Sequence, residues 1–209
     1  MALVITVAQQ KGGAGKTMLA ANLAAAMALH RRVCLLDIDP QRSLTRWHEI
    51  RGRFAKPLAA IGVSDVAGWR LRAELDRLTR SHDAVIIDTP PQVDTEAKLA
   101  IRAAGLVLVP LQPSPPDLWA AQGTVQLAQA EGRKLRLVLN RAPASSRLRT
   151  QVEREAAAAG YEWLDSTLGN RAGFANAFVQ GLGVVEAAPK SVAAQEIMAL
   201  LREIEGVVA

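Results

Sequence analysis

The sequence predicts an α/β fold: a doubly wound, mostly parallel sheet with helices on both faces. Three observations predict it. Short β-branched apolar runs alternate with longer stretches of helical periodicity. The short runs are continuously apolar, as in parallel strands covered on both sides, and do not alternate with polar residues. A glycine-rich loop joins the first run to an Ala-rich helical stretch, so the chain opens as strand, loop and helix. At 209 residues the chain can bury one sizeable core, and residues 1–209 read as a single domain.

Taken in order, residues 3–8 form a strand and residues 17–29 a helix rich in alanine, the best helix former. Residues 33–38 are a second strand, apolar until it ends in acids. Residues 43–53 and 66–80 carry helical spacing. Residues 84–87 and 106–109 are apolar runs of strand length, each followed by a helix, at 95–103 and 116–131. Residues 135–139 make another strand, and 145–159 and 192–206 are helical. The proline-rich stretch 110–116 is short and local, a shaped loop and not a linker. In sheets of this kind ligands sit at the carboxyl ends of the strands.

Composition removes several classes of function. Cys34 is the single cysteine, so one chain holds no disulfide framework, iron–sulfur cluster or Cys-rich zinc site. His30, His48 and His82 show no metal spacing. No apolar run approaches the roughly 20 residues of a membrane span, and a cytoplasmic protein is expected. The net charge of +5, with an isoelectric point near 9.9, favours polyanionic partners. Trp47, Trp69, Trp119 and Trp163 are scattered and read as core or partner contacts.

The loop Gln9-Gln10-Lys11-Gly12-Gly13-Ala14-Gly15-Lys16-Thr17 has the Gly-Lys-Thr ending of a P-loop at a strand-to-helix turn. Gly12, Gly13, Ala14 and Gly15 can turn their N–H groups toward phosphate oxygens, and the N-terminus of the helix that follows, with Met18 in its first turn, adds a favourable partial charge. Lys16 is placed to bridge the β- and γ-phosphates, and the Thr17 hydroxyl to hold Mg²⁺. The alternative is a glycine turn that binds nothing. Asp37 and Asp39 end the second strand two residues apart, so both can face this loop. One can serve the Mg²⁺ shell and the other can position water; as isolated residues they also suit a turn before Pro40. Residues 85–88 are an apolar strand closed by Asp88, the Walker B pattern of a carboxylate that reaches Mg²⁺.

The loop departs from G-x-x-x-x-G-K-[ST]: Gln10 stands at the first glycine and Lys11 follows it. The arrangement K-G-G-x-G-K-T resembles the deviant Walker motif of the ParA/MinD family of P-loop ATPases. Asp37-Ile38-Asp39-Pro40-Gln41 is similar to that family's D-x-D-P-Q stretch, and residues 110–118 to its P-x-x-P-S-P-x-D loop. The likeness is closest to short partition ATPases without an N-terminal DNA-binding domain, and no helix-turn-helix pattern is present. The resemblance implies a P-loop NTPase fold, ATP and Mg²⁺ as cofactors, and a homodimer formed on ATP. It implies that Lys11 reaches the partner subunit's nucleotide, that Asp39 activates the attacking water, and that Asp37, Asp88 and Thr17 lie at the metal. Asn140 falls where the family contacts the base. The loop with Asp117 is implied near the dimer contact; the alternative is a rigid loop that caps the next helix through Asp117.

The family also binds DNA without sequence preference through basic residues in the C-terminal half. Arg141, Arg147, Arg149, Arg154 and Arg171 lie there; a solvated helix face is the alternative for them. A nucleoid-associated ATPase that positions or segregates a plasmid, chromosome region or protein assembly, stimulated by a ParB-like or other cargo-linked partner, is the implied function. A P-loop kinase or ligase acting on a small metabolite is the alternative, and a non-hydrolysing DNA coat a third. The last helix sets Ile197, Leu200, Leu201 and Ile204 on one face between acidic residues. An anionic bilayer repels such a face, so the helix is expected to pack on the core and not on a membrane.

Overall fold

The computed structural model describes residues 2–54, 57–66, 70–92, 95–143 and 147–209. Six strands form one sheet in the order β3-β2-β4-β1-β5-β6, and every pairing is parallel. They are β1 (Leu3–Val7), β2 (Val33–Asp37), β3 (Ile61–Asp65), β4 (Ala84–Asp88), β5 (Leu106–Leu111) and β6 (Lys134–Leu139). The helices are α1 (Lys16–Met27), α2 (Ser43–Arg51), α3 (Leu71–Ser81), α4 (Thr95–Ala103), α5 (Pro115–Ala130), α6 (Arg147–Ala158), α7 (Ala172–Phe178), α8 (Val184–Ala187) and α9 (Val192–Val208).

Strand periodicity divides the core. Ile5, Val7, Val33, Leu35, Ile86 and Leu108 face α1, α2 and the C-terminal helices α7 to α9. Their neighbours one residue along face the other layer: Cys34, Leu36, Val85 and Ile87 pack on α3, and Val107, Val109, Leu137 and Leu139 on α5 and α6. The doubly wound arrangement follows. In α9, Ile197, Leu200, Leu201 and Ile204 are all buried, so the expected core-packing face is observed. Its acids are used within the fold: Glu196 pairs with Arg171, Glu205 pairs with Arg31, and Glu203 accepts the Ser166 N–H. No helix among the described residues is long and apolar enough to cross a membrane.

Register aligns the strand ends that matter. Val7 and Asp37 both lie opposite Asp88 across neighbouring strands. The phosphate loop therefore leaves the sheet beside two carboxylates.

Three features depart from the sequence reading. β3 was not expected. It is an edge strand containing Gly62 and Ser64 and is half-exposed over most of its length, so it lacks the apolar run that marks an internal strand. α7 and α8 were not expected either, being only 7 and 4 residues long. The expected starts of the helices at 66 and 145 run into residues 67–69 and 144–146, which lie outside the described residues, as does Trp69.

Candidate nucleotide site

The phosphate loop between β1 and α1 turns on two left-handed glycines, Gly13 (φ +78°) and Gly15 (φ +93°). Gly15 is the N-cap of α1, and no side chain caps the helix. Its first N–H groups are thus left facing the cleft. Only glycine suits Gly15: besides its positive φ, a Cβ there would stand 2.3 Å from Asn140 Nδ2.

Lys16 is 6% exposed, and its ammonium donates to the Gln9 carbonyl at 3.1 Å. Burial pulls its pKa below the usual lysine value, while Asp88 and Asp39 pull it back up. Asp88 is fully buried, and neither carboxylate oxygen has a hydrogen-bond partner among the described residues. Desolvation raises its pKa to about 7. The neighbouring Thr17 hydroxyl and the Lys16 charge oppose the rise, and Asp37 and Asp39 add to it.

Asp37 is held differently. One oxygen accepts both the N–H and the hydroxyl of Thr45 at 2.8 Å, and the other accepts the Asp39 N–H at 3.2 Å. It anchors the first turn of α2 and shapes the loop that carries Asp39. Burial nevertheless raises its pKa. Asp39 lines the cleft with Gly12, Gly13, Gly15, Lys16, Thr17 and Met18, and its carboxylate accepts the Gln41 N–H at 2.9 Å. The cleft measures about 280 Å³. A larger hollow of about 520 Å³ beside Leu3 and Gly105 contains no phosphate loop.

The start of the loop docks on α5. The Lys11 ammonium donates to Asp117 Oδ2 at 2.5 Å; Lys11 is 40% exposed while Asp117 is 2% exposed. Ser114 is the N-cap of α5 and accepts the Asp117 N–H. The loop does cap the helix, but through Ser114 and not through Asp117 as expected, and the Asp117 carboxylate faces Lys11. Gln9 Nε2 donates to the carbonyls of Pro110 and Asp117 at 3.4 and 3.5 Å. The Gln10 side chain lies against Gly123, where a Cβ would meet its Nε2 at 2.1 Å.

Asn140 reaches the loop from the end of β6. Its Nδ2 donates to the Ala14 carbonyl at 2.8 Å, and its Oδ1 accepts the Arg141 N–H at 3.0 Å. Arg141 lies in the cleft, apart from the other arginines expected at DNA. Arg147 and Arg154 line a surface hollow on α6. Arg149 pairs with Glu153 on the same helix. Arg171 donates twice to Glu196 Oε1, at 3.0 and 2.6 Å. The structure brings together the loop, Asp37, Asp39, Asp88 and Asn140, and it spreads the arginines over several elements.

Sequence reasoning missed the partners of the loop on α5 and the presence of Phe178 in the cleft. Asp117 lies 106 residues from Lys11, and no spacing rule joins such a pair.

The arrangement presents a glycine cradle, a buried cation and a carboxylate unpartnered among the described residues, at the carboxyl ends of neighbouring strands. Residues 5–185 match the CobQ/CobB/MinD/ParA nucleotide binding domain. The chain belongs to this family. Within it, the chain is 30% identical over 210 residues to "Maintenance of carboxysome distribution protein A" of Halothiobacillus neapolitanus, covering 97% of this chain and 96% of that protein. It is 39% identical over 142 residues to the protein of that same description from Gloeobacter kilaueensis, covering 66% of this chain and 62% of the relative. The fold superposes on an ATP complex of a Cyanothece McdA variant with a TM-score of 0.81 at 19% identity, over 98% of this chain and 96% of that one. The P-loop NTPase α/β fold expected from the loop is therefore the fold of this family.

Proposed function

We propose that this chain is a ParA-like ATPase that binds ATP and Mg²⁺, dimerises on ATP, then binds DNA without sequence preference and positions a cargo. The observation that carries this reading is Asp88, a buried carboxylate without a hydrogen-bond partner among the described residues, opposite Val7 at the mouth of the glycine cradle. A charge so placed calls for a cation. Among the described residues no three His, Cys, Asp or Glu side chains form a metal cluster. That suits Mg²⁺, which is bound through one or two carboxylates and the substrate's own phosphates. The residues present fit the group, with Thr17 and Asp88 to hold it. Bound there, Mg²⁺ would neutralise charge developing on the transferred phosphoryl group.

The chain's own groups supply the rest. The amides of Gly12 to Lys16 hold phosphate oxygens, aided by the partial charge at the start of α1. Lys16 exchanges the Gln9 carbonyl for phosphate. Asp37 fixes α2 and keeps Asp39 at the cleft, and Asp39 orients the attacking water. Lys11, exposed and paired with Asp117, exchanges that carboxylate for the partner subunit's nucleotide when two chains close. A cargo-linked partner protein stimulates turnover, and exposed arginines such as Arg147 meet DNA phosphates. Both relatives named above are carboxysome distribution proteins, which supports a protein assembly as cargo ahead of a plasmid.

The test is ATP turnover and sedimentation with ATP and Mg²⁺. Lys16→Ala is expected to lose ATP binding. Asp39→Ala is expected to bind ATP and dimerise while turnover falls at least tenfold. Turnover undiminished in Asp39→Ala removes the role given to that residue. Phosphorylation of a small metabolite, with no dimer on ATP, replaces the reading with that of a kinase or ligase.

A further inference from the structure

Asp39 sits on a short loop between β2 and α2, and something must hold that loop for its carboxylate to meet water in one place. After β2 the chain turns sharply. Pro40 and Gln41 occupy the middle of the turn, and the Arg42 N–H donates to the Asp39 carbonyl at 2.8 Å. The Gln41 N–H holds one Asp39 carboxylate oxygen at 2.9 Å. Gln41 and Ser43 line the cleft; Arg42, between them, turns its guanidinium to Asp65 Oδ2 instead. Asp65 is the last residue of β3, in register with Asp37 at the end of β2. The mixed edge strand β3 therefore ends beside the loop that carries Asp39.

Resting on the role given to Asp39 above, we propose that Arg42, clamped by Asp65, is the positioning residue that sets Asp39 for the attacking water. Two observations single out Arg42. The first is its backbone. With φ +53° and ψ +33° it is left-handed, and it is one of two non-glycine residues with positive φ among those described. Glycine takes this conformation readily, and other residues persist in it only where surrounding contacts impose it. The second is its place as N-cap of α2. Its side chain caps nothing there, and the first turn of the helix holds no acid. Neither backbone preference nor helix capping accounts for an arginine at this position, whereas the ion pair does.

Arg42 and Asp65 are 59% and 36% exposed, so their pair adds little to overall stability. It selects instead the direction in which the chain leaves the turn. Helix α2 is anchored at its other contacts. Thr45 bonds Asp37. Trp47 stacks on Phe178, with ring centroids 6.3 Å apart and planes at 27°, and donates to the Leu182 carbonyl at 3.4 Å. Between this anchored helix and the end of β2, Arg42 is the pivot, and Asp65 holds it from outside the cleft.

Steady-state ATP turnover, calorimetric ATP titration and thermal unfolding of one set of variants test the proposal. Arg42→Gly and Asp65→Ala are each expected to lower kcat about fivefold. ATP affinity is expected to stay within about twofold and the melting temperature within about 2 °C. The combined variant is expected to be no slower than either single one, since both remove the same contact. Arg42→Lys keeps a cation for Asp65 and is expected to keep about half the parent's kcat or more. Unchanged kcat in Arg42→Gly or in Asp65→Ala overturns the proposal. So does a multiplied loss, about twenty-five-fold, in the combined variant, because it separates the two residues. A melting temperature lowered by more than about 5 °C in both single variants makes the pair structural and overturns it as well. Asp39→Ala is the reference. If its turnover is undiminished, the role of Asp39 has failed and the proposal falls with it; a slow Asp39→Ala beside a fully active Arg42→Gly removes the clamp alone.

Discussion

Asp88 shows how a single residue can trade stability for a ligand. Its pKa is raised to about 7, above the ordinary 3.8 of the unfolded chain. Between those values the folded protein holds a proton that the unfolded chain has released, so stability falls as pH rises from about 4 to 7. Above about 7 the buried charge exerts its full cost. Asp88→Asn removes that cost in the nucleotide-free protein. Thermal unfolding should show the variant about 10 °C more stable than the parent at pH 8, with the gap closing toward pH 4. The same variant should lose Mg²⁺-dependent turnover. An equal melting temperature at both pH values would mean that Asp88 carries no buried charge in solution.

Two contacts decide how the elements hold the site. The guanidinium of Arg51 on α2 bonds both oxygens of Glu186 on α8, at 2.6 and 2.7 Å, and both side chains are buried. Arg51 also lies 5.5 Å over the Trp47 ring. Glu186→Ala leaves a buried, unpaired guanidinium, and equilibrium denaturation should show a loss of about 3–5 kcal/mol. The second contact is Gly123 on α5. A methyl group there displaces only the far end of Gln10, and alanine favours the helix by about 1 kcal/mol. Gly123→Ala should therefore keep its stability yet weaken ATP binding by shifting the loop, and adding Gln10→Gly should restore affinity. A double variant as weak as the single one would sever Gln10 from Gly123. These contacts mark the limit of what the sequence states. Continuous motifs such as the glycine loop, the acid-ended strands and the apolar face of α9 are legible because neighbours in the chain are neighbours in space. Lys11 with Asp117, Arg51 with Glu186, and Phe178 at the cleft join distant positions. β3, α7 and α8 are too short or too mixed to show a period.

Across the whole molecule, charge and topology act on different faces. The acids and the loop share the carboxyl ends of β1, β2 and β4, whereas Arg147 and Arg154 stand on α6, outside that cleft. Nucleotide and polyanion then need not compete for one surface. On the proposed function, random duplex DNA should bind with ATP and not with ADP, and affinity should fall steeply across a salt series. Arg147→Glu combined with Arg154→Glu should lower DNA affinity at least tenfold while ATP affinity stays within twofold. Loss of ATP binding in that variant would place the arginines in the nucleotide site instead.

Trp47 gives the protein an optical property of its own. It is 1% exposed and stacked on the ring that borders the cleft, while Trp119 is 65% exposed. The first should emit in the blue and resist soluble quenchers, and the second should emit further to the red and be quenched readily. A change in the shielded, blue part of the emission would then follow occupation of the cleft in real time, with no label attached.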